Sequence, residues 1–369
     1  MAGPETVPVA RPVIGEAEIA AAVRVLRTGV VVQGPEVAAF EREFSELVDG
    51  RACVAVNSGT SALYLSLLAL GIGPGDEVVV PSFSFAATAN AVRLVGAEPV
   101  FADIEADSFC LDPDAAAAAV GPRTAALLPV HLYGHPAAMD RLLPLAARHG
   151  LAVVEDACQA HAATLHGRPV GALGTAGCFS FYPTKNMHAL EGGMVVVEDA
   201  RLAARLRMLR NQGMAERYRH ELVGANLRMT DVSAAVGRVQ LAALSGWTER
   251  RREHAKALDA RLRGVPTPPV AAGAGHVYHQ YTVRIAGQRE LFQQELAKRG
   301  VGSAVHYAVP IHRQPAYAGT ALAGLELPAT DRAAAEVLSL PVHPGLTEGE
   351  LDRVVAAVDA VATLLGGER

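Results

Sequence analysis

The chain has 369 residues, of which 50% are hydrophobic, and its formal net charge is −5. A chain of this length and apolar content can bury a large core, and we expect more than one domain. The charges are spread along the chain without acidic or basic blocks, so neither a nucleic-acid surface nor a polybasic membrane patch is expected.

Signals for secretion and membrane insertion are not expected either. The first residues, MAGPETVPVARPVIG, lack the apolar core of a signal peptide, and no later apolar run is long and charge-free enough to span a bilayer. The four cysteines form no C-x-x-C pair, which argues against structural zinc and thioredoxin-like redox chemistry. We therefore expect a cytoplasmic protein with reduced thiols.

Helical and strand patterns alternate through the first half of the chain. Apolar residues at helical spacing predict helices at 15–29, 35–50, 61–71, 86–96 and 143–150. Short apolar runs predict strands at 52–56, 76–82, 99–104, 124–134 and 151–157. Continuous runs of Val, Ala and Leu are typical of strands buried on both faces. We therefore predict an α/β fold with a mostly parallel sheet between helices.

The second half of the chain changes character. A strand (192–199) and a charged helix (202–213) come first, and residues 238–264 are predicted to form one long helix, apolar early and charged late. Such a helix suits the exit from one domain and the start of another. We therefore predict a large domain at 1–247 and a smaller C-terminal α+β domain at 248–369. Beyond the alanine run at 115–119, no repeat or low-complexity tract is visible.

The first motif with chemical content is VNSGTSAL, in which a strand ends and a helix begins at Asn57-Ser58-Gly59-Thr60. Free backbone N–H groups and the positive end of the helix dipole meet at such a junction, which can therefore bind a phosphate. An ordinary capped turn is the alternative. Taken alone, the motif favours that alternative, because it lacks the lysine of a P-loop.

The second motif is VVEDACQA, which places Asp156 at the carboxyl end of an apolar strand. Open α/β sheets bind ligands at this edge, although a helix N-cap would explain an aspartate equally well. A buried carboxylate is costly unless a cation meets it, and a protonated pyridine nitrogen would be such a cation.

The third motif is FSFYPTKN, in which a strand carrying Ser180 leads through Pro183 to Lys185. A single lysine is usually a solvated surface residue. Here the downstream strand EGGMVVV places Lys185 in a loop between two buried strands, which favours a lysine held for chemistry. A desolvated lysine amine is a nucleophile.

One ligand satisfies all three motifs. It needs a phosphate for the glycine turn and Ser180, a basic ring nitrogen for Asp156 and an aldehyde for Lys185. Pyridoxal 5′-phosphate has these groups, and its protonated ring is an electron sink. A cofactor that carries an amino group between reactions would be present there as pyridoxamine 5′-phosphate. The three motifs require no metal.

With these motifs in place, the chain resembles the DegT/DnrJ/EryC1/StrS family of sugar aminotransferases, within the fold-type I superfamily. The resemblance runs almost end to end and is carried by NSGTSAL, GDEVVVPSFSFAATANA, PVHLYG, EDACQAHAA, FSFYPTKN, NLRMTDVSAAVGRVQL and VPIHRQPAY. It implies a large domain with a seven-stranded sheet and a smaller C-terminal domain. It also implies a homodimer with shared active sites.

The resemblance implies a role for each matching residue. Lys185 would bind the cofactor's aldehyde carbon, Asp156 its ring nitrogen and Gln159 the region of its phenolic oxygen. The ring would stack on Phe85. Phosphate ligands would be Gly59, Thr60, Ser180 and, from the neighbouring subunit, Asn226. Residues near the substrate would be Tyr307, His312 and His188, for which ordinary packing roles are the alternative.

The resemblance further implies an amino-acid donor, L-glutamate, and a keto-sugar acceptor, linked to a nucleotide, in amino-sugar or antibiotic biosynthesis. A keto-cyclitol acceptor is the alternative, and a non-catalytic cofactor-binding regulator is a further one. The chain departs from the family pattern at Met187-His188-Ala189-Leu190, where small or threonine residues are usual. Because this loop borders the predicted site, the choice of substrate is open there.

Two other motifs carry less weight. GIGPG at 71–75 precedes its strand, so a turn is favoured over a dinucleotide-binding loop. His131 and His135 have the spacing of zinc ligands on a helix, but they follow a strand and lack the glutamate of the HExxH motif.

Overall fold

A computed structural model describes residues 6–366. The helices are α1 (Glu16–Thr28), α2 (Pro35–Leu47), α3 (Gly59–Ala69), α4 (Ala87–Leu94), α5 (Pro113–Ala119), α6 (Met139–His149), α7 (Ala200–Leu209), α8 (Asp231–Arg261), α9 (Arg289–Lys298), α10 (Pro328–Glu336) and α11 (Glu348–Gly366). The strands are β1 (Ala52–Val56), β2 (Glu77–Pro81), β3 (Glu98–Ala102), β4 (Thr124–Leu127), β5 (Ala152–Asp156), β6 (Thr164–Leu165), β7 (Arg168–Pro169), β8 (Ala176–Ser180), β9 (Gly193–Val197), β10 (Met214–Glu216), β11 (Arg219–His220), β12 (Ala274–Gly275), β13 (Tyr281–Arg284) and β14 (Val337–Leu340).

The centre of the molecule is a seven-stranded sheet in the order β1-β9-β8-β5-β4-β2-β3. Strand β9 is antiparallel to both its neighbours and the other pairs are parallel. Helices α3, α4 and α7 pack on one face, and α2, α5 and α6 pack on the other. The predicted α/β fold with a mostly parallel sheet between helices is confirmed. Within residues 6–366, no helix combines the length and apolar character needed to cross a membrane.

Several elements differ from the sequence prediction: β4 ends at Leu127 instead of 134, and α6 begins at Met139 instead of 143. The alanine run at 115–119 forms most of α5, which starts behind the N-cap Asp112. Helix α8 begins at Asp231 instead of 238, because Thr230 caps it by accepting the Ser233 N–H at 3.1 Å. Asp231 in turn accepts backbone N–H groups at the start of α2, from Gly34 at 2.7 Å among others, and so ties the two helices together.

The long helix α8 connects two packing regions. Its early part carries Leu244 into the cluster around Phe40 and Phe44, whereas its late part carries Leu258 into a cluster with α11 and the β13–β14 pair. Val7, near the start of the chain, also packs in the second cluster. The predicted boundary at 247/248 falls inside α8 and stays a proposal. The ends of the two predicted ranges, 1–5 and 367–369, lie outside the described residues.

A buried carboxylate fixes the central strand β5. Glu155 accepts backbone N–H groups from Gly171 (2.7 Å), Leu173 (2.8 Å) and Gly174 (2.6 Å), and it lies 3.0 Å from Nε2 of His131. Because Nδ1 of His131 accepts the Ala137 N–H, Nε2 carries the proton and donates it to Glu155. Burial by itself would raise the pKa of Glu155, but the His131 and backbone hydrogen bonds outweigh it, and the pKa lies below its usual value of 4.5.

We predict that Glu155→Gln lowers the free energy of unfolding by roughly 3 kcal/mol at pH 7, because an amide cannot satisfy all these donors. A lowered carboxyl pKa stabilises the fold above the unfolded-state pKa. The difference from wild type should therefore shrink as the pH falls below 4.5. Urea unfolding across this pH range is the measurement. Glu198→Gln, at an exposed carboxylate, is the control. A pH-independent difference would contradict the account.

Candidate active site

A cavity of about 500 Å³ lies at the carboxyl edge of the parallel strands. Strands β1, β2, β5 and β8 all end at its wall, where open α/β sheets bind their ligands. The sequence-predicted residues that line it are Gly59, Thr60, Phe85, Asp156, Gln159, Ser180, Lys185 and Tyr307. The three motifs thus meet in one place.

Lys185 is presented by a tight turn that follows β8. The Lys185 N–H donates to the Tyr182 carbonyl at 2.9 Å, with Pro183 at the second position of the turn, where its fixed φ is favoured. The flanking Phe179 and Phe181 are buried and anchor the turn to the core. Within residues 6–366, the amine has neither a hydrogen-bond nor an ion-pair partner. Burial lowers the pKa of Lys185, which favours the unprotonated, nucleophilic amine.

Asp156 is 5% exposed and ends β5 at the cavity wall. Its Oδ2 accepts the Thr88 hydroxyl at 2.8 Å, and its Oδ1 accepts the Cys158 N–H at 3.2 Å. Among the described residues, it has no cation within ion-pair distance. Sequence reasoning missed Thr88, although its place in the first turn of α4, just after β2, put it at the same edge of the sheet.

The start of α3 forms a narrow cradle. Ser58 caps the helix by accepting the Ser61 N–H at 3.1 Å, and the N–H groups of Gly59 and Thr60, in the first turn, have no intrahelical acceptor. A Cβ atom on Gly59 would lie 2.6 Å from Cβ of Ser180, so only glycine permits this approach. An anion in the cradle would meet backbone donors and the Ser180 hydroxyl together.

The opposite wall is built from an amide and aromatic rings. The Gln159 side chain accepts the Tyr133 N–H at 2.8 Å and donates to the Tyr307 hydroxyl at 3.0 Å. The Tyr307 ring lies 6.0 Å from that of Phe85, which is 59% exposed at the cavity rim. This wall can cover a flat ring and orient groups on its edge.

Three predicted residues lie outside this cavity. His312 is buried, and its Nδ1 lies 2.6 Å from the Ser82 hydroxyl. The His188 Nε2 donates to the Val13 carbonyl at 3.1 Å, behind the Lys185 turn. Asn226 is exposed on the surface of the chain. Their proposed roles stay predictions.

Two histidines that sequence reasoning missed also line the cavity, His279 and His306. Burial and the charge of Lys185 lower the pKa of both, so both are neutral imidazoles at neutral pH. His279 lies just before β13, far along the chain from the three motifs, so no local sequence pattern places it at the cavity. His131 and His135 both hydrogen-bond to protein groups, and the part of the chain that is described holds no His, Cys, Asp or Glu cluster suited to a metal ion.

This arrangement fits pyridoxal 5′-phosphate. The buried Asp156 carboxylate needs a cation, which the protonated ring nitrogen would supply, and the Gly59 cradle accepts a phosphate that closely approaches the backbone. Lys185 offers an amine with a lowered pKa for the aldehyde.

Comparisons with known proteins agree with this geometry. The sequence profile of the DegT/DnrJ/EryC1/StrS aminotransferase family matches residues 12–359. The erythromycin biosynthesis sensory transduction protein EryC1 of Saccharopolyspora erythraea is 46% identical, covering 92% of this chain and 93% of its own. The dTDP-3-amino-3,4,6-trideoxy-alpha-D-glucose transaminase of Streptomyces venezuelae is 47% identical, covering 92% and 90%. Crystalline S. venezuelae DesV, in complex with a ketimine intermediate, superposes with a TM-score of 0.92 at 44% identity, covering 96% of this chain and 99% of DesV.

We predict that Asp156→Asn lowers affinity for pyridoxal 5′-phosphate roughly ten- to a hundredfold, because a charge-assisted hydrogen bond to the ring nitrogen is lost. The amide keeps the shape of the side chain, so thermal stability of the cofactor-free protein should change little. Spectroscopic cofactor titration and thermal unfolding measure the two effects. Unchanged cofactor affinity would show that another group meets the ring nitrogen.

Proposed function

Because this chain belongs to the DegT/DnrJ/EryC1/StrS aminotransferase family, we propose that it moves the amino group of L-glutamate to a nucleotide-linked keto-sugar. The predicted family, the predicted cofactor and the aminotransferase class are confirmed. The proposal rests above all on the meeting of Lys185, Asp156 and the Gly59 cradle in one cavity. The dTDP-sugar transaminase relative supports the nucleotide-linked acceptor.

Several cavity residues would take part in this reaction. Asp156 would hold the cofactor's ring nitrogen protonated, with Thr88 fixing the carboxylate. Gly59, Thr60 and Ser180 would hold the phosphate. Bound pyridoxal 5′-phosphate supplies the electron sink for the substrate carbanion and stores the amino group between the two half-reactions.

Lys185 would then be the proton carrier. Its Nζ would take the proton from the donor's α-carbon and return one to the cofactor side, with roles reversed for the acceptor. Neutral His279 and His306 beside it leave Nζ without a competing positive charge. Burial lowers the pKa of Lys185 and so favours the unprotonated amine, which can accept this proton.

The chain is further proposed to act as a homodimer in the cytoplasm, in amino-sugar or antibiotic biosynthesis. A relative named for erythromycin biosynthesis supports the pathway class. Lys185 and Asp156, together in the cavity, argue against a purely regulatory binding protein.

The proposed function predicts which compounds will react. The amine form of the enzyme should return to the aldehyde form with nucleotide-linked keto-sugars, and L-glutamate should yield 2-oxoglutarate in the opposite half-reaction. Free keto-sugars and keto-inositols are the comparison set, and absorbance of the cofactor reports each half-reaction. Lys185→Ala, which lacks the proton carrier, should be inactive in both. Reaction with keto-inositols alone would move the assignment to aminocyclitol biosynthesis.

We propose that Asn226 binds the cofactor phosphate of the partner subunit, since it is exposed and lies outside its own cavity. Subunit mixing tests this. Lys185→Ala chains are combined with Asn226→Asp chains, which place a negative charge against the phosphate, at limiting cofactor. If Asn226 acts across the dimer, each mixed dimer has one intact site and activity returns. No rescue, with mixed dimers verified by mass spectrometry, would contradict the cross-subunit role.

A further inference from the structure

The residue after the reactive lysine holds one of the cavity histidines. Asn186 is 3% exposed, and its side-chain Nδ2 donates to the Val277 carbonyl at 3.0 Å. Its Oδ1 lies 3.3 Å from Nδ1 of His279, which lines the large cavity together with Lys185. Asn186 therefore links the Lys185 turn directly to the imidazole of His279.

These contacts determine which ring nitrogen of His279 carries the hydrogen. A backbone carbonyl can only accept, so the amide group of Asn186 that meets Val277 is the NH₂ group, and Oδ1 faces His279. The amide oxygen also only accepts, so Nδ1 of His279 is the donor. In a neutral ring Nε2 then has a free lone pair, and within residues 6–366 it has no hydrogen-bond partner.

The surroundings keep this imidazole neutral. His279 is 6% exposed, and burial lowers its pKa well below the usual value of 6.5. The charges of Lys185 and Arg251 lower the pKa further, and the neighbouring His306 and His161 act in the same direction. At neutral pH the free Nε2 is therefore a hydrogen-bond acceptor.

Lys185 needs an acceptor of this kind. Within residues 6–366 its amine has no hydrogen-bond partner, although it would become an ammonium with three N–H donors on taking a proton from the substrate. A buried ammonium without acceptors is costly, so a fixed neutral acceptor beside it would favour the proton transfer. Asp156 is engaged by the cofactor ring in the proposed function, and the Gln159 amide already binds protein groups at both ends.

His306 is the other imidazole of this cavity. Its Nδ1 lies 3.1 Å from the Ser339 hydroxyl, which can donate or accept, so the contact does not determine where the ring hydrogen lies. The contacts of His279 do determine it, and they come from the residue next to Lys185.

We propose that His279 positions Lys185 for proton transfer, with Nε2 accepting an N–H of the lysine once the substrate amine has displaced Nζ from the cofactor. The inference rests on the proposed transamination. The C–H bond at the α-carbon of L-glutamate breaks, an N–H bond forms on Nζ, and the cofactor ring takes up the electron pair. His279 neither gives nor takes a proton, so it is a positioning residue. Because Lys185 also returns the proton, both half-reactions need this contact.

Two substitutions separate this role from a structural one. An asparagine amide reaches only as far as the Nδ1 position, so His279→Asn can keep the contact with Asn186 but lacks the acceptor at Nε2. A glutamine amide reaches the Nε2 position, so His279→Gln keeps that acceptor and gives up the contact with Asn186. His279→Asn should slow both half-reactions roughly ten- to a hundredfold at saturating substrate, because a charge-assisted hydrogen bond is lost. His279→Gln should retain most of the rate.

The kinetic pattern identifies the affected step. L-Glutamate with the aldehyde form and 2-oxoglutarate with the amine form are the two reactions, followed by cofactor absorbance. In His279→Asn the apparent Kd for L-glutamate should change little, and α-deuterated L-glutamate should show a larger isotope effect than in the wild type, because proton transfer has become slower. His149→Asn, at an exposed histidine that ends α6, is the control and should leave both reactions unchanged.

Nitrogen-15 NMR tests the hydrogen-bond geometry without turnover. In histidine-labelled holoenzyme at neutral pH, the signals missing from His279→Asn identify His279. They should show a neutral ring with its hydrogen on Nδ1. This readout is independent of whether any substrate reacts.

Several results would overturn the inference. A charged ring, or a hydrogen on Nε2, would remove the acceptor. A rate lost in His279→Gln and kept in His279→Asn would show a purely structural contact, and an equal loss in both variants, or no loss in either, would equally contradict the positioning role. If the wild-type enzyme reacts with neither L-glutamate nor 2-oxoglutarate, the proposed function is refuted instead.

Discussion

The site depends on a buried carboxylate that, within residues 6–366, has no cation within ion-pair distance. Asp156 ends the central strand β5 and accepts hydrogen bonds from two neutral donors, the Thr88 hydroxyl and the Cys158 N–H. A group of this kind is costly unless a positive charge meets it. The neighbouring residue Glu155 accepts three backbone N–H groups and a hydrogen bond from His131. These bonds fix the end of β5 and thereby the position of Asp156. The protonated ring nitrogen of pyridoxal 5′-phosphate would supply this positive charge.

Parallel strands make the rest of the site possible. Their carboxyl ends meet at one edge, so that the start of α3, the end of β5 and the turn after β8 converge although they are far apart in the chain. Gly59 allows α3 to approach Ser180 closely, and Pro183 sets the turn that presents Lys185. The smaller C-terminal region closes the cavity with His306 and Tyr307.

Residues at strand ends were predictable from the sequence, and residues that arrive from distant segments were not. Asp156 and Lys185 each follow an apolar run, so local pattern alone placed them at the sheet edge. His279 and His306 line the cavity although they come from segments after α8, and nothing local to them indicates this. The sequence prediction started α8 too late, because the first turn of the helix is fixed by the Thr230 cap and by the contact of Asp231 with α2. The family resemblance supplied the seven-stranded sheet, whose antiparallel strand β9 no local pattern reveals.

The central claim is that Lys185 carries the cofactor covalently, and the sequence makes it unusually easy to test. The chain has three lysines, and the other two, Lys256 and Lys298, are exposed on helices away from the cavity. Borohydride reduction of the holoenzyme followed by peptide mass mapping would locate the attachment. The account predicts a cofactor-derived mass on the peptide that contains Lys185 and on no other. A label on Lys256 or Lys298, or no label on a holoenzyme that is active, would contradict it.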